Sequence, residues 1–171
     1  MNKILVPTDF SEQAENALKV AAMLAKSYGA EIYLLHMMEI PMQYVDPVNS
    51  HSDVPEALFF MKLAHQKFTK VMQKDYLKGI TVHETVEFHE AFDGIMDIST
   101  KHSCDLIIMG SSGATGLKEI FIGSNTEKVV RNSDIPVLVI KRDIPIFKVD
   151  KFAFATDLHP ETIPTFKRAI N

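Results

Sequence analysis

Four residues near the middle of the chain, Gly110, Gly113, Gly123 and Ser124, fall at the spacing G-x2-G-x9-G-S, directly after the apolar run Leu106-Ile-Ile-Met109. An apolar run that halts at a glycine, a loop of small residues, then Gly-Ser opening a helical pattern is a chemical arrangement for holding phosphate. Glycine lets backbone N–H groups come close to an oxyanion, and a helix N-terminus adds unpaired donors and a partial positive charge. A second group follows the first apolar run, Ile4-Leu-Val6, where the chain reads Pro7-Thr8-Asp9. Asp9 can accept hydrogen bonds from a ribose hydroxyl or an adenine amine. It also fits a helix-capping role alongside Ser11, and the two roles are compatible.

These groups need a scaffold, and the rest of the chain supplies one. Ser11 caps a helix with the stripe Ala14, Ala17, Leu18, Ala21, Ala25 and Tyr28, and Gly29 stops it. Ile32-Tyr-Leu-Leu35 is a second strand, and residues 39–53 a polar loop. Asp53 and Pro55 open a second helix with Leu58, Met61, Phe68 and Met72 along one side. Residues 80–88 alternate as a strand near a sheet edge, and Phe92, Ile95, Met96 and Ser99 mark a third helix. The fully apolar run at 106–109 predicts a buried parallel strand, a helix spans about 123–132, and Pro136-Val-Leu-Val-Ile140 closes the set. Five strands separated by four helices predict an α/β fold with an open five-stranded parallel doubly wound sheet over residues 1–142.

Beyond a linker at 143–150, Lys151-Phe-Ala-Phe-Ala-Thr156-Asp157-Leu158 restates Lys3-Ile-Leu-Val-Pro-Thr8-Asp9-Phe10 at an offset of 148 positions. Residues 151–171 therefore read as the start of a truncated second repeat, contributing an extra C-terminal strand over Phe152-Ala-Phe-Ala155. An orphan strand cannot build its own core and must pair with something. The last strand of the sheet, 136–140, leaves an apolar edge that needs cover. A homodimer through that strand, or through exchanged C-terminal strands, would cover it.

The bulk numbers narrow the function classes. The chain has 171 residues, 46% apolar, enough for one domain with a full core. A net charge of −4 argues against a sequence-independent nucleic-acid binder. No apolar run approaches a membrane span, and the single cysteine, Cys104, fits a reducing compartment; together these predict a cytoplasmic protein. The seven histidines show no metal-ligand spacing. No G-x4-G-K-[ST] run and no G-x-S-x-G elbow occur, so no catalytic set is recognised. A phosphorelay receiver would need an acidic pair after the first strand and an aspartate after the third, whereas only Asp9 is present.

The glycine motif, the Asp9 that follows strand one, the strand–helix order and the closing Ile135-Pro136-Val-Leu-Val-Ile pattern resemble the universal stress protein family over nearly all of residues 1–142. The resemblance implies a Rossmann-like fold of the adenine nucleotide alpha hydrolase type, occurring as single or tandem domains and often dimeric through the last strand. It also implies ATP binding, with ADP or AMP as alternatives and Mg accompanying ATP, and at most slow hydrolysis. If strands one and four flank the point where strand order reverses, as in this family, Asp9 and Gly110 share one crevice. Pro7 and Thr8 then form its wall, and His36-Met37-Met38 flank the base, with Met37 reading its edge. Gly113 lets the loop approach the phosphates. Ser124 and Asn125 hold terminal oxygens, and Lys118 supplies a counter-charge. These readings predict a nucleotide-responsive stress or regulatory module; the alternative is a nucleotide-free interaction module of the same fold.

Overall fold

The computed structural model describes residues 1–38, 53–88, 90–111, 122–157 and 159–170. Along the chain run β1 (Lys3–Pro7), α1 (Glu12–Tyr28), β2 (Glu31–Met37), α2 (Asp53–Met72), β3 (Val82–Glu87), α3 (Ala91–Lys101), β4 (Leu106–Gly110), α4 (Ser124–Asn132) and β5 (Val137–Ile140), with α5 (Ile163–Ile170) near the end. The five strands form one sheet in the order β3-β2-β1-β4-β5, and every pairing is parallel.

Period-two alternation decides which face each strand residue serves. Ile4, Val6, Ile32, Leu34 and Ile108 join one buried cluster with α1 and with Phe68 of α2. Leu5, Tyr33, Leu35, Ile107 and Met109 join the other, with Ile95 and Ile98 of α3 and Val129 of α4. Two helices thus cover one face and two the other. The strands in the middle are apolar throughout because neither face meets water.

The first helix begins and ends as its sequence dictates. Ser11 caps it by accepting from the Ala14 N–H, and Gly29 ends it in the left-handed region at φ 68. Its alanines let it lie close to the sheet. Tyr28, expected in the apolar stripe, is instead 64% exposed, because it is the last residue of the helix and the chain turns away at Gly29. In α2 the packing residues are Ala64 and Phe68, with Val71 beside the cluster, while Leu58 and Met72 are exposed. Of the expected stripe only Phe68 is fully buried, so the buried stretch of the helix is shorter than its apolar pattern.

The segment after β5 behaves differently from expectation. Ile144 and Phe147 of the 143–150 linker pack against the α1-side cluster, and Lys19 pairs with Asp143 at 2.8 Å. Residues 151–157 form no strand, so the extra C-terminal strand is corrected to an irregular segment leading into α5. The physical reason lies in β1, which is flanked on both sides by β2 and β4. The segment 151–157, whose sequence restates β1, has no counterpart of either beside it among the described residues, and a lone strand leaves its backbone unpaired.

Candidate functional site

The C-terminal ends of β1, β2 and β4 meet where the helices change faces. Pairing of β1 with β2 continues to Pro7 opposite Leu35. Pairing of β1 with β4 stops at Leu5 opposite Ile107, although the strands run on to Pro7 and Gly110. The β1–β4 pairing thus ends short of the strand ends at the switch point of the sheet, the place where ligands of open α/β folds bind.

One wall is the turn after β1. The Thr8 N–H donates to the Leu35 carbonyl (2.7 Å), and the Thr8 carbonyl accepts from Nδ1 of His36 (2.8 Å). The Thr8 hydroxyl accepts the Phe10 N–H (3.0 Å), and an Asp9 carboxylate oxygen accepts the Ser11 N–H (2.9 Å). Phe10 lies in the left-handed region at φ 63, which for a bulky residue costs about 1–3 kcal/mol and persists only when its surroundings hold it. Its ring centroid is 4.6 Å from that of His36 and 5.1 Å from that of Phe68, and Lys67 sets its Nζ 5.1 Å over the ring.

The opposite wall is the start of α4. Gly123, its N-cap, donates its N–H to the Ser111 carbonyl (2.7 Å), drawing together the two ends of the glycine loop. Thr126, buried in the first turn, donates its hydroxyl to the Gly110 carbonyl (3.0 Å). Gly110 itself abuts α1, where an added Cβ would lie 3.0 Å from the backbone carbon and oxygen of Gln13. Even a methyl group there would crowd the first turn of α1, so the helix–strand packing by itself favours glycine.

The family model for the universal stress protein family matches residues 1–141. The chain belongs to that family. Two curated relatives come from Methanocaldococcus jannaschii. Universal stress protein MJ0577 is 36% identical over 153 residues, covering 82% of this chain and 94% of that protein. Universal stress protein MJ0531 is 32% identical over 149 residues, covering 82% of each. The solved structure of MJ0577 superposes with a TM-score of 0.68 at 34% identity, covering 84% of this chain and 97% of that one. A universal stress protein from Archaeoglobus fulgidus, solved in complex with dAMP, shares the fold at a TM-score of 0.55 and 24% identity, over 82% of this chain and 98% of that one.

In this universal stress protein domain, the expected site residues divide cleanly. Pro7, Thr8 and Asp9 lie at the end of β1, Met37 at the end of β2, and Gly110 at the end of β4. Gly123, Ser124 and Asn125 open α4, with Gly123 as the N-cap. Gly113 and Lys118 lie outside the described residues. Sequence reading missed Phe10, Lys67 and Thr126. Only Thr126 carried a signal, a threonine in the third position of a helix that faces a glycine strand end.

Burial of the His36 ring holds its pKa below the ordinary 6.5, helped by Lys67 and opposed by its bond to Thr8 and by Asp9. As pH falls through about 6.5, the unfolded chain takes up this proton before the folded one does, so the stability tied to a neutral His36 is lost over the interval down to its folded pKa. The thermal midpoint is expected to fall between pH 7.5 and pH 5.5, and the His36→Asn variant to show a flatter profile across that window.

Proposed function

We propose that this universal stress protein domain binds an adenine nucleotide, ATP foremost, in the crevice between the Thr8–Asp9 turn and the start of α4. The carrying observation is that β1 and β4 separate before their ends, between an Asp-bearing turn and the Gly110–Gly123 loop ends joined at Ser111. Asp9 accepts from the ribose, Pro7 and Thr8 wall the sugar, and the Met37 backbone meets the base edge. Gly113, Ser124 and Asn125 take the phosphates through backbone N–H groups and polar side chains. Adenine nucleotide suits the fold, since the A. fulgidus protein was solved with dAMP. Magnesium enters with the triphosphate; among the described residues no group of three carboxylate, histidine or cysteine side chains could hold an ion.

The module responds to nucleotide and turns it over slowly at most, and its site of action is the cytoplasm, where ATP is abundant. No helix of the described residues is long and apolar enough to cross a membrane. A nucleotide shifts conformation or assembly only through unequal affinity for two states. The assembly that fits is a homodimer through β5, an edge strand paired with β4 on one side and with no strand on its outer side among the described residues. A monomeric mass in solution at tens of micromolar, about the range where such pairs form, would remove the dimer.

Residues 151–171 fit the start of a second repeat. The Ser11 N–H to Asp9 bond of 2.9 Å recurs as a His159 N–H to Asp157 bond of 2.9 Å, at the same offset of 148. Ile4, fully buried, corresponds to Phe152, which is 56% exposed. Core-type residues thus stand at core positions without the sheet that would cover them.

The binding test is mass detection of small molecules released from denatured protein, followed by titration with ATP. Wild-type protein is expected to carry or bind an adenine nucleotide. Asp9→Ala and Gly113→Val are each expected to weaken ATP binding by about tenfold or more, the scale of losing a charge-assisted hydrogen bond or a close backbone approach. Full affinity in both variants would move the ligand elsewhere. A flat titration to millimolar ATP would leave the fold acting as an interaction module.

A further inference from the structure

The Thr8 peptide is gripped from both sides by the end of β2. Its N–H reaches the Leu35 carbonyl at 2.7 Å and its carbonyl meets His36 Nδ1 at 2.8 Å. A carbonyl only accepts, so Nδ1 carries the proton, and the neutral ring is the Nδ1–H tautomer. The same ring lies against Phe10, which completes the turn in the left-handed region with its N–H on the Thr8 hydroxyl. Asp9 sits between these two fixed residues. One imidazole therefore acts on the turn twice, as a hydrogen-bond donor to Thr8 and as a flat surface for Phe10.

We propose that His36 is a positioning residue for the nucleotide: it locks the Thr8–Phe10 turn in the form that presents Asp9 to the ribose hydroxyls. The inference rests on the nucleotide reading above and adds a residue that need not touch the ligand. Without the donor, the Thr8 carbonyl loses its clamp, the strained Phe10 relaxes, and Asp9 loses its fixed direction. Binding of the sugar should suffer more than binding of the phosphates, which are held across the crevice.

Titrations of ATP and of 2′,3′-dideoxy-ATP separate these effects. Wild-type protein is expected to prefer ATP. His36→Phe keeps a ring and removes the donor; it should weaken ATP binding by about tenfold and bring the ratio of the two affinities close to one. His36→Asn, whose side-chain amide offers a donor near the Nδ1 position, should recover most of the ratio. A generally loosened domain would weaken both nucleotides together and keep the ratio. A His36→Phe variant with the wild-type ratio overturns the inference while leaving the nucleotide reading intact. Wild-type protein that binds neither nucleotide removes both. Should His36→Phe fail to fold, 15N spectra of the wild-type imidazole decide, because an Nε2–H tautomer overturns the clamp and an Nδ1–H tautomer supports it.

Discussion

Replacing Gly110 by valine is expected to lower the unfolding free energy by about 2–3 kcal/mol and the thermal midpoint by about 5–10 °C. Gly110 ends β4 opposite Ile140, with its carbonyl held by the Thr126 hydroxyl, so the strand cannot retreat without breaking that bond. On its other side, a Cβ would meet the Gln13 backbone at 3.0 Å, inside the first turn of α1. That turn is anchored by the Ser11 cap and by a row of buried alanines, so it has little room to move either. A β-branched side chain adds two more carbons to a gap already tight for one. Gly29 is the useful contrast. A Cβ there meets nothing within 4 Å, and the cost of Gly29→Ala is confined to the left-handed backbone at φ 68, about 1–2 kcal/mol. Denaturant unfolding of the two variants should rank Gly110→Val as the more destabilising. Equal midpoints would mean that α1 slides off the strand end more easily than its packing indicates.

What was legible in the sequence was what depends on neighbours close in the chain. The Ser11 cap, the Gly29 stop and the two-faced strands follow from local periodicity and capping chemistry, and the structure has all of them. The adjacency of β1 and β4, which creates the crevice, came with the family resemblance and is present in the sheet order. What was illegible depends on partners far away in sequence. Locally the Thr8 hydroxyl holds the Phe10 N–H, which does not by itself announce a left-handed backbone; the ring is held by His36 from β2 and Phe68 from α2. Thr126 gains its role from a strand end 16 residues earlier. The apolar pattern of α2 overstated its buried face, since periodicity shows which side of a helix faces the core but not where the core ends. The 152–155 segment failed as a strand for the opposite reason: its pattern is that of β1, but a pattern becomes a strand only beside partners.

The most severe loss should come from Phe68→Ala, expected to destabilise the domain by about 3–5 kcal/mol. Phe68 is the largest of the fully buried side chains, and it joins α2 to the cluster formed by β1, β2 and α1. Alanine would remove the transfer free energy of a whole phenyl ring and leave a cavity that a sheet and two helices cannot collapse to fill. At about 2–4 °C per kcal/mol for a chain of this size, the thermal midpoint should drop by about 6–20 °C. The effect should not stop at stability. The Phe68 ring stands edge-on to Phe10 and lies 6.4 Å from His36, so it backs the very residues that shape the Thr8–Asp9 turn. Phe68→Leu retains most of the volume and should recover most of the stability while offering Phe10 no aromatic edge. Comparing the two variants by thermal unfolding and by ATP titration separates bulk from ring. If Phe68→Leu restores the midpoint but not ATP affinity, the aromatic contact itself shapes the turn. If it restores both, the turn needs only filled space behind it, and the aromatic hold on Phe10 passes to His36.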